Sequence, residues 1–358
     1  MDQRYTKLAK ILVEWSTQVK KGDRVCIMGD FGCLELAKEC ARLCYQKGAR
    51  VSYDFSHEEL AFTKFKYASE VQLKTPSAVY EFHIKHNEVF IRLRAPQNTN
   101  SLNNIDAKRI QWVATANMPA KKILLEKRWV FCDVPATGAA QDAKMSMEEY
   151  ADFVFGACLQ DWKKLSVKCR KLGLLLNQTK KVRIKAKGTD LWIDVTGRKA
   201  SSTLRAGQGQ YNIPDGEVFI TPVRDKTEGQ ITFEWPQKRD KEVRDLCLEF
   251  KKGKVVKFSA GSNADYFQAV LETDQLSDSL GELGIGMNAG IKTFTNNILY
   301  DEKIGGTIHI ALGSGYPEIG GDPNSAVHWD LVKNLKEKGE LWFDDQLVQK
   351  QGKFLVKL

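Results

Sequence analysis

Two of the five histidines lie close to carboxylates in the C-terminal half of the chain, in segments interrupted by glycine and proline. In His328-Trp329-Asp330, an extended backbone would place His328 and Asp330 on one face of a strand. An imidazole and a carboxylate on one face can bind a single metal ion. They can equally form a hydrogen-bonded pair without metal, and the tripeptide alone leaves both alternatives open.

The second of these histidines, His309, lies in the apolar run 307–312, which predicts a buried strand. A buried imidazole needs a partner or must stay neutral. That partner could be a metal ion, or it could be a backbone carbonyl, as for a histidine in an ordinary core. Tyr316 follows in a segment with glycines at 313 and 315, which would allow the backbone to approach a site closely.

Three glutamates, Glu217, Glu282 and Glu302, complete the candidate set. Glu217 and Glu282 stand in glycine-rich settings and are followed by apolar residues, so both are expected to point inward. A buried glutamate needs a cation or a hydrogen-bond partner. The alternative is an ordinary solvent-facing residue, and Glu302 could simply pair with Lys303 at the surface.

Taken together, these six side chains offer carboxylate oxygens and imidazole nitrogens but no thiolate. Such a set suits two divalent ions, Zn, Co, Mn or Mg. None of the eight cysteines stands near a candidate ligand in the sequence, which argues against a structural zinc site of the cysteine type. Oxygen-rich ligation with open positions is typical of hydrolytic centres.

The elements that must position these groups differ between the two halves of the chain. In the N-terminal half, apolar residues at helical spacing predict a first helix between Tyr5 and Val19. Strand 24–28, helix 34–43 and strand 51–55 then form a βαβ unit, which predicts a parallel sheet covered by helices. Further strands are predicted at residues 89–93, 112–115 and 129–134.

The C-terminal half is predicted to be rich in short strands and turns. Alternating patterns indicate strands at 182–185 and 191–195, a hairpin turn at 251–254 and a helix over 265–271. The predicted fold class is α/β: an N-terminal α/β domain with a parallel sheet over residues 1–180, followed by a C-terminal α+β domain over 181–358 that carries the metal site.

Composition narrows the class of protein. Hydrophobic residues make up 42% and charged residues 28% of the 358 residues, which is typical of a soluble globular protein. The first residues do not lead into the apolar segment of a secretory signal, and no stretch approaches the roughly 18 apolar residues of a membrane span. We therefore expect a cytoplasmic protein without a membrane partner.

The net charge of +9 raises the question of a nucleic-acid partner. The clearest basic stretch, residues 162–187, contains ten lysines and arginines and no carboxylate. Aromatic residues that could stack on bases are missing from it after Trp162, and the next aromatic is Trp192. A solvated face, or attraction of anionic peptides, is the preferred interpretation, and no nucleic-acid partner is expected.

Several runs resemble the aminopeptidase T and aminopeptidase S family of dinuclear metallopeptidases. Pro-Asp-Gly-Glu-Val-Phe at 214–219 and His-Ile-Ala-Leu-Gly at 309–313 are the most specific of them. The others run in order through most of the chain, at 22–25, 151–155, 158–162, 188–191, 299–302, 316–317 and 327–330. The segment between Tyr316 and His328 is short and 284–288 departs from the family pattern, so the chain resembles a shorter, divergent member.

The resemblance implies a metal-dependent aminopeptidase that hydrolyses the N-terminal bond of peptides through a water activated by two metals, in a homodimer. Six ligands are implied, together with Tyr316 as a hydrogen-bond donor and Glu217 or Glu302 as the proton shuttle. The ligands are Glu217, Glu282, Glu302, His309, His328 and Asp330. Two alternatives stay open: a mononuclear Fe(II) ring-cleaving dioxygenase that uses His309, His328 and Asp330, and a non-catalytic member that binds a peptide or a partner protein.

Overall fold

The computed structural model describes residues 2–202 and 210–358, and these residues form two compact units. One unit comprises residues 2–159 with 210–214, and the other comprises 160–202 with 215–358. All six candidate ligands and Tyr316 belong to the second unit. Within the described ranges, no helix has the length and apolar character needed to cross a membrane.

The helices are short and are separated by turns throughout the described residues. A π-helical turn, Ile11–Ser16, extends the first of them. In chain order they are α1 (Gln3–Lys10), α2 (Leu34–Gln46), α3 (Glu58–Tyr67), α4 (Glu70–Lys74), α5 (Ala78–His86), α6 (Ala107–Ala116), α7 (Met118–Glu126), α8 (Thr137–Asp142), α9 (Met147–Cys158), α10 (Trp162–Leu176), α11 (Ala264–Leu271) and α12 (Ile298–Asp301).

The strands concentrate in the second unit. In chain order they are β1 (Arg24–Asp30), β2 (Arg50–Ser56), β3 (Val89–Arg94), β4 (Arg128–Asp133), β5 (Lys181–Ala186), β6 (Thr189–Asp194), β7 (Gln210–Ile213), β8 (Glu217–Ile220), β9 (Thr227–Thr232), β10 (Gln237–Lys238), β11 (Glu242–Val243), β12 (Cys247–Lys251), β13 (Lys254–Ser259), β14 (Leu280–Gly286), β15 (Thr307–Gly313), β16 (His328–Asn334), β17 (Glu340–Phe343), β18 (Gln346–Lys350) and β19 (Lys353–Phe354).

The first unit contains a five-stranded sheet in the order β2-β1-β3-β4-β7, and each pair of neighbours is parallel. The predicted βαβ unit is therefore confirmed. The strand predicted at 112–115 is wrong, because these residues lie in α6, whose start is capped by the Asp106 carboxylate accepting from the Lys108 backbone N–H. A short apolar run such as this one fits a helix as well as a strand, so its pattern alone could not decide.

The second unit is built on two antiparallel sheets. Eight strands pair in the order β13-β12-β9-β6-β5-β17-β18-β19, and four pair in the order β16-β15-β14-β8. The hairpin predicted at 251–254 joins β12 to β13, and its central residues Lys252 and Gly253 both have positive φ, as a two-residue hairpin turn requires. The predicted arrangement of a parallel-sheet domain followed by a domain of short strands is confirmed.

The four-stranded sheet carries the candidate site. Every residue of β14 and β15 is buried, so both faces of these two central strands are covered. A sheet covered on both faces normally has an apolar sequence, because an uncompensated charge inside it is costly. Glu282 on β14 and His309 on β15 break this pattern, and their burial therefore requires an explanation at the site itself.

Candidate metal centre

Strand register brings five of the six candidate ligands to one face of the four-stranded sheet. Residues directly opposite each other in antiparallel strands project to the same face, as do alternate residues along one strand. Each of the five is paired with a glycine or an alanine on a neighbouring strand, which leaves room for the longer side chain. Glu217 pairs with Gly286, His309 with Gly284, Glu282 and Asp330 with Ala311, and His328 with Gly313.

The polar atoms of these side chains lie close together. His309 Nε2 is 3.3 Å from Glu282 Oε1 and 3.6 Å from Glu217 Oε2. His328 Nε2 is 3.4 Å from Asp330 Oδ2. Glu282, His309 and Asp330 each provide one ligand atom, and these three atoms lie within 4.8 Å of one another. The sequence stretches that contain them therefore converge, as a shared metal centre requires.

The two histidines are oriented by backbone carbonyls. His309 Nδ1 lies 3.0 Å from the Glu302 carbonyl oxygen, and His328 Nδ1 lies 2.9 Å from that of Ser314. A carbonyl can only accept, so Nδ1–H donates in both rings. In the neutral imidazoles, Nε2 then carries the lone pair and faces the carboxylates. This is the usual orientation of a metal-binding histidine. The sequence left open whether a metal ion or a backbone carbonyl is the partner of His309, and this orientation leaves room for one at each ring nitrogen.

A cation between the imidazoles and the carboxylates would remove the repulsion between their facing atoms. A lone pair on Nε2 facing a carboxylate oxygen at 3.3–3.6 Å is repulsive unless a proton or metal ion lies between them. Glu282 Oε2 is buried and has no hydrogen-bond partner within the described residues. The donor set is imidazole nitrogen and carboxylate oxygen, which fits divalent zinc, cobalt or manganese. The residues present therefore fit a metal ion.

The pKa values reflect the excess of negative charge. Burial lowers the pKa of His309, but the hydrogen bond to Glu282 and the charges of Glu217 and Asp330 outweigh burial and raise it to about 10. Burial also lowers the pKa of His328, but the hydrogen bond to Asp330 and its charge outweigh burial and raise that pKa to about 10. Burial raises the pKa of Glu282. The carboxylates thus favour any cation that can reach them.

The sixth candidate, Glu302, is bonded to Lys303, which also lies close to Glu217. The sequence left open a surface ion pair between these two residues, but the ion pair is not at the surface. Lys303 is fully buried, its ammonium is bonded to Glu302, and its Nζ is 3.8 Å from Glu217 Oε1. Sequence reasoning missed Lys303 as part of the site. The available signal was the segment Ile304-Gly305-Gly306 that follows it, which is atypical of an exposed charged turn.

Tyr316 stands at the rim of the centre. Its ring centroid is 5.4 Å from that of Phe219 and 5.6 Å from that of His328, and the residue is 46% exposed. A tight loop holds it, because a side-chain carbon on Gly321 would come within 2.5 Å of the Tyr316 backbone nitrogen. Partial burial and then the carboxylates of Glu282 and Asp330 raise the pKa of the Tyr316 phenol, so its hydroxyl is a donor at neutral pH.

A second residue that the sequence did not reveal is Asp274, which anchors the segment entering β16. Its carboxylate accepts hydrogen bonds from the Ala326 N–H at 2.8 Å, the Ser325 hydroxyl at 2.9 Å and the Leu276 N–H at 2.9 Å. Burial raises the pKa of Asp274, but these hydrogen bonds outweigh burial and lower it to about 2. A carboxylate that stays charged therefore fixes the backbone two residues before His328.

Comparison with known proteins places this chain among metallopeptidases. The model of the thermophilic metalloprotease family M29 matches residues 1–354. Aminopeptidase 2 of Geobacillus stearothermophilus is 26% identical over 356 residues, which cover 88% of this chain and 84% of the relative. Aminopeptidase AmpS of Bacillus subtilis is 24% identical over 352 residues, with 88% and 85% covered.

The fold is shared with a solved structure. Wild-type AmpT from Thermus thermophilus superposes with a TM-score of 0.84 at 20% sequence identity, covering 99% of each chain. The resemblance predicted from short sequence runs is confirmed by the family match over residues 1–354. This chain belongs to the thermophilic metalloprotease family M29.

Proposed function

We propose that the centre on the four-stranded sheet hydrolyses the N-terminal peptide bond of peptides, with Glu217 and Tyr316 as the catalytic side chains. The prediction of a metal-dependent aminopeptidase is confirmed by the family match and by relatives that are named aminopeptidases. The dioxygenase alternative is not favoured. The observation that carries the proposal is that the Nε2 atoms of two histidines face carboxylates on one face of a sheet.

Family membership implies a divalent metal. We propose two ions, chosen from Zn, Co, Mn and Mg, held by Glu217, Glu282, Glu302, His309, His328 and Asp330. The three converging atoms of Glu282, His309 and Asp330 support the first position, and His328 adjoins it through Asp330. The carboxylates of Glu217 and Glu302, which we call the acidic pair, support the second.

Bound divalent metal would polarise the scissile carbonyl and make water a competent nucleophile near neutral pH. Glu217 is buried, and burial raises its pKa well above the usual range despite the nearby Lys303. A carboxylate whose pKa is raised is a stronger base, so deprotonated Glu217 would take a proton from water and pass it to the leaving amine. Tyr316 would donate its hydroxyl hydrogen to the carbonyl oxygen as negative charge develops there.

Removal and return of metal tests the activity. Thoroughly chelated protein is expected to release no p-nitroaniline from aminoacyl-p-nitroanilides, and added Co²⁺ or Zn²⁺ is expected to restore the release. An N-acetylated substrate is the matched control, because an enzyme that requires a free N-terminus leaves it intact. Full turnover by metal-free protein, or equal turnover of the acetylated substrate, would contradict the proposal.

Replacing Tyr316 with phenylalanine tests the role of the hydroxyl. The substitution keeps the ring between Phe219 and His328, so metal binding should not change. We expect kcat to fall about 10²–10³-fold, the usual effect of losing one donor to a developing oxyanion. Steady-state kinetics together with metal content check this prediction. A normal kcat at full metal loading would rule out the proposed role.

We further propose a cytoplasmic location and assembly as a homodimer. The eight cysteines are free thiols and seven of them are buried, which is compatible with the reducing environment of the cytoplasm. The resemblance to aminopeptidases T and S supports a homodimer. Peptides with a free N-terminus are the proposed substrates.

A further inference from the structure

The ammonium group of Lys303 lies inside the metal centre. Lys303 has no exposed surface, and its Nζ contacts Glu302 and lies 3.8 Å from Glu217 Oε1. The two carboxylates of the acidic pair therefore share one buried positive charge. A second buried lysine, Lys333, has an analogous ion pair with Glu234. Its side chain projects from the other face of β16, because residues 328, 330 and 332 of that strand face the centre.

Lys303 and a divalent ion would require the same oxygens. A carboxylate in close contact with an ammonium group cannot hold a metal ion without moving that group, since two positive charges at such separations repel strongly in a poorly screened interior. The oxygens of Glu282, by contrast, have no lysine contact: Oε1 faces His309 and Oε2 has no partner within the described residues. Lys303 therefore already neutralises part of the negative charge at the second proposed ion position, whereas no lysine contacts Glu282 at the first.

We propose that Lys303 is an internal counter-cation that occupies the acidic pair until a second divalent ion displaces it. This inference rests on the proposed two-ion function. The first position, formed by Glu282, His309 and Asp330, fills at low metal concentration. The second fills only at higher concentration, because binding there must also displace the Lys303 ammonium. Lys303 is thus a positioning residue that keeps Glu217 and Glu302 together in the form with one ion.

A titration of the full-length, metal-stripped protein with Co²⁺ tests the order of filling. Visible absorption and metal content after equilibrium dialysis report how many ions bind and how tightly, without any substrate. For the unmodified chain we expect one tight ion and a second whose dissociation constant is at least about 100-fold higher, since the second ion alone competes with a close like charge. Two ions of equal affinity would overturn the proposal.

The variant Lys303→Met removes the competing charge and keeps an unbranched side chain. We expect its second Co²⁺ to bind at least about tenfold more tightly than in the unmodified chain, because one close positive charge is gone. The first ion should bind as before. Lys333→Met is the matched control and should leave both dissociation constants unchanged. If Lys303→Met binds its second ion no more tightly, the proposal is wrong.

The Lys303→Arg variant and a parallel measurement of activity complete the test. If Lys303→Met does not fold, Lys303→Arg retains the charge and should keep the large gap between the two steps, and equal steps in that variant would overturn the proposal. Activity is measured in parallel but is not the readout. Two well-separated steps without hydrolysis would refute the proposed function alone, and hydrolysis with two equal steps would refute the role of Lys303 alone.

Discussion

Exchange of Glu282 for glutamine is expected to abolish metal binding at the first position and hydrolysis with it. Glu282 Oε1 lies 3.3 Å from His309 Nε2, and Glu282 is one of the three residues whose ligand atoms converge. Changes to groups that only support a ligand weaken metal binding about 10–100-fold, so loss of a ligand itself should cost at least about 100-fold. Glutamine preserves size, removes the charge and replaces one carboxylate oxygen with an amide nitrogen.

Metal content, hydrolysis and thermal unfolding together check this prediction. Metal-free Glu282→Gln should be at least as stable as the metal-free unmodified chain, because a buried carboxylate without full compensation has been removed. At a Co²⁺ concentration that fills only the first position of the unmodified chain, its unfolding temperature should no longer rise, since an ion stabilises only a protein that binds it. Glu337→Gln, at an exposed position, is the control. Retention of the tightly bound first ion in Glu282→Gln would remove Glu282 from the ligand set.

The second large effect is expected at Gly284, which contributes no side chain. Gly284 is paired with His309 across β14 and β15, and the imidazole lies over it. A methyl group at Gly284 would overlap His309 Cε1 and Nε2 and would lie 2.7 Å from Nδ1. Alanine there must therefore push the ring out of its place, which breaks the hydrogen bond to the Glu302 carbonyl.

For Gly284→Ala we expect a loss of metal affinity of at least about tenfold, the lower end of what misplacing a ligand costs. Overpacking should also lower the free energy of unfolding by about 1–3 kcal/mol. Gly173→Ala is the control, since a methyl group there meets only Val218 and Ala200 at ordinary contact distances, and alanine favours a helix by up to about 1 kcal/mol over glycine. Normal metal binding by Gly284→Ala would show that the ring does not need its present position.

Much of the fold could be predicted because its signals are local. The first helix, the βαβ unit and the hairpin at 251–254 each follow from patterns that span fewer than forty residues. The start of α9 is equally local, because Ser146 and Glu149 form a capping box with both of its hydrogen bonds. The strand at 112–115 was wrong because neighbours distant in sequence decide whether a short apolar run becomes a strand or a helix.

The candidate site was predictable as a set of residue types but not as a geometry. His328 and Asp330 could be placed on one face because strand alternation is a local rule. The pairing of Gly284 with His309 depends on the register between two strands separated by twenty residues of other structure, which no local pattern fixes. Lys303 and Asp274 were missed for the same reason, since their importance comes from the carboxylates and backbone groups that folding brings to them.

The hydrogen bonds from the two imidazoles to main-chain oxygens have a consequence for protein engineering. Every amino acid offers the same carbonyl, so any residue introduced at position 314 still provides an acceptor for the Nδ1–H of His328. Position 302 differs, because its carbonyl orients His309 while its side chain is a proposed metal ligand. Randomising position 314 would therefore vary charge and bulk around the centre while the proton on His328 stays at Nδ1 and the six proposed ligands are kept. A library built there could change metal preference without changing the tautomer of His328.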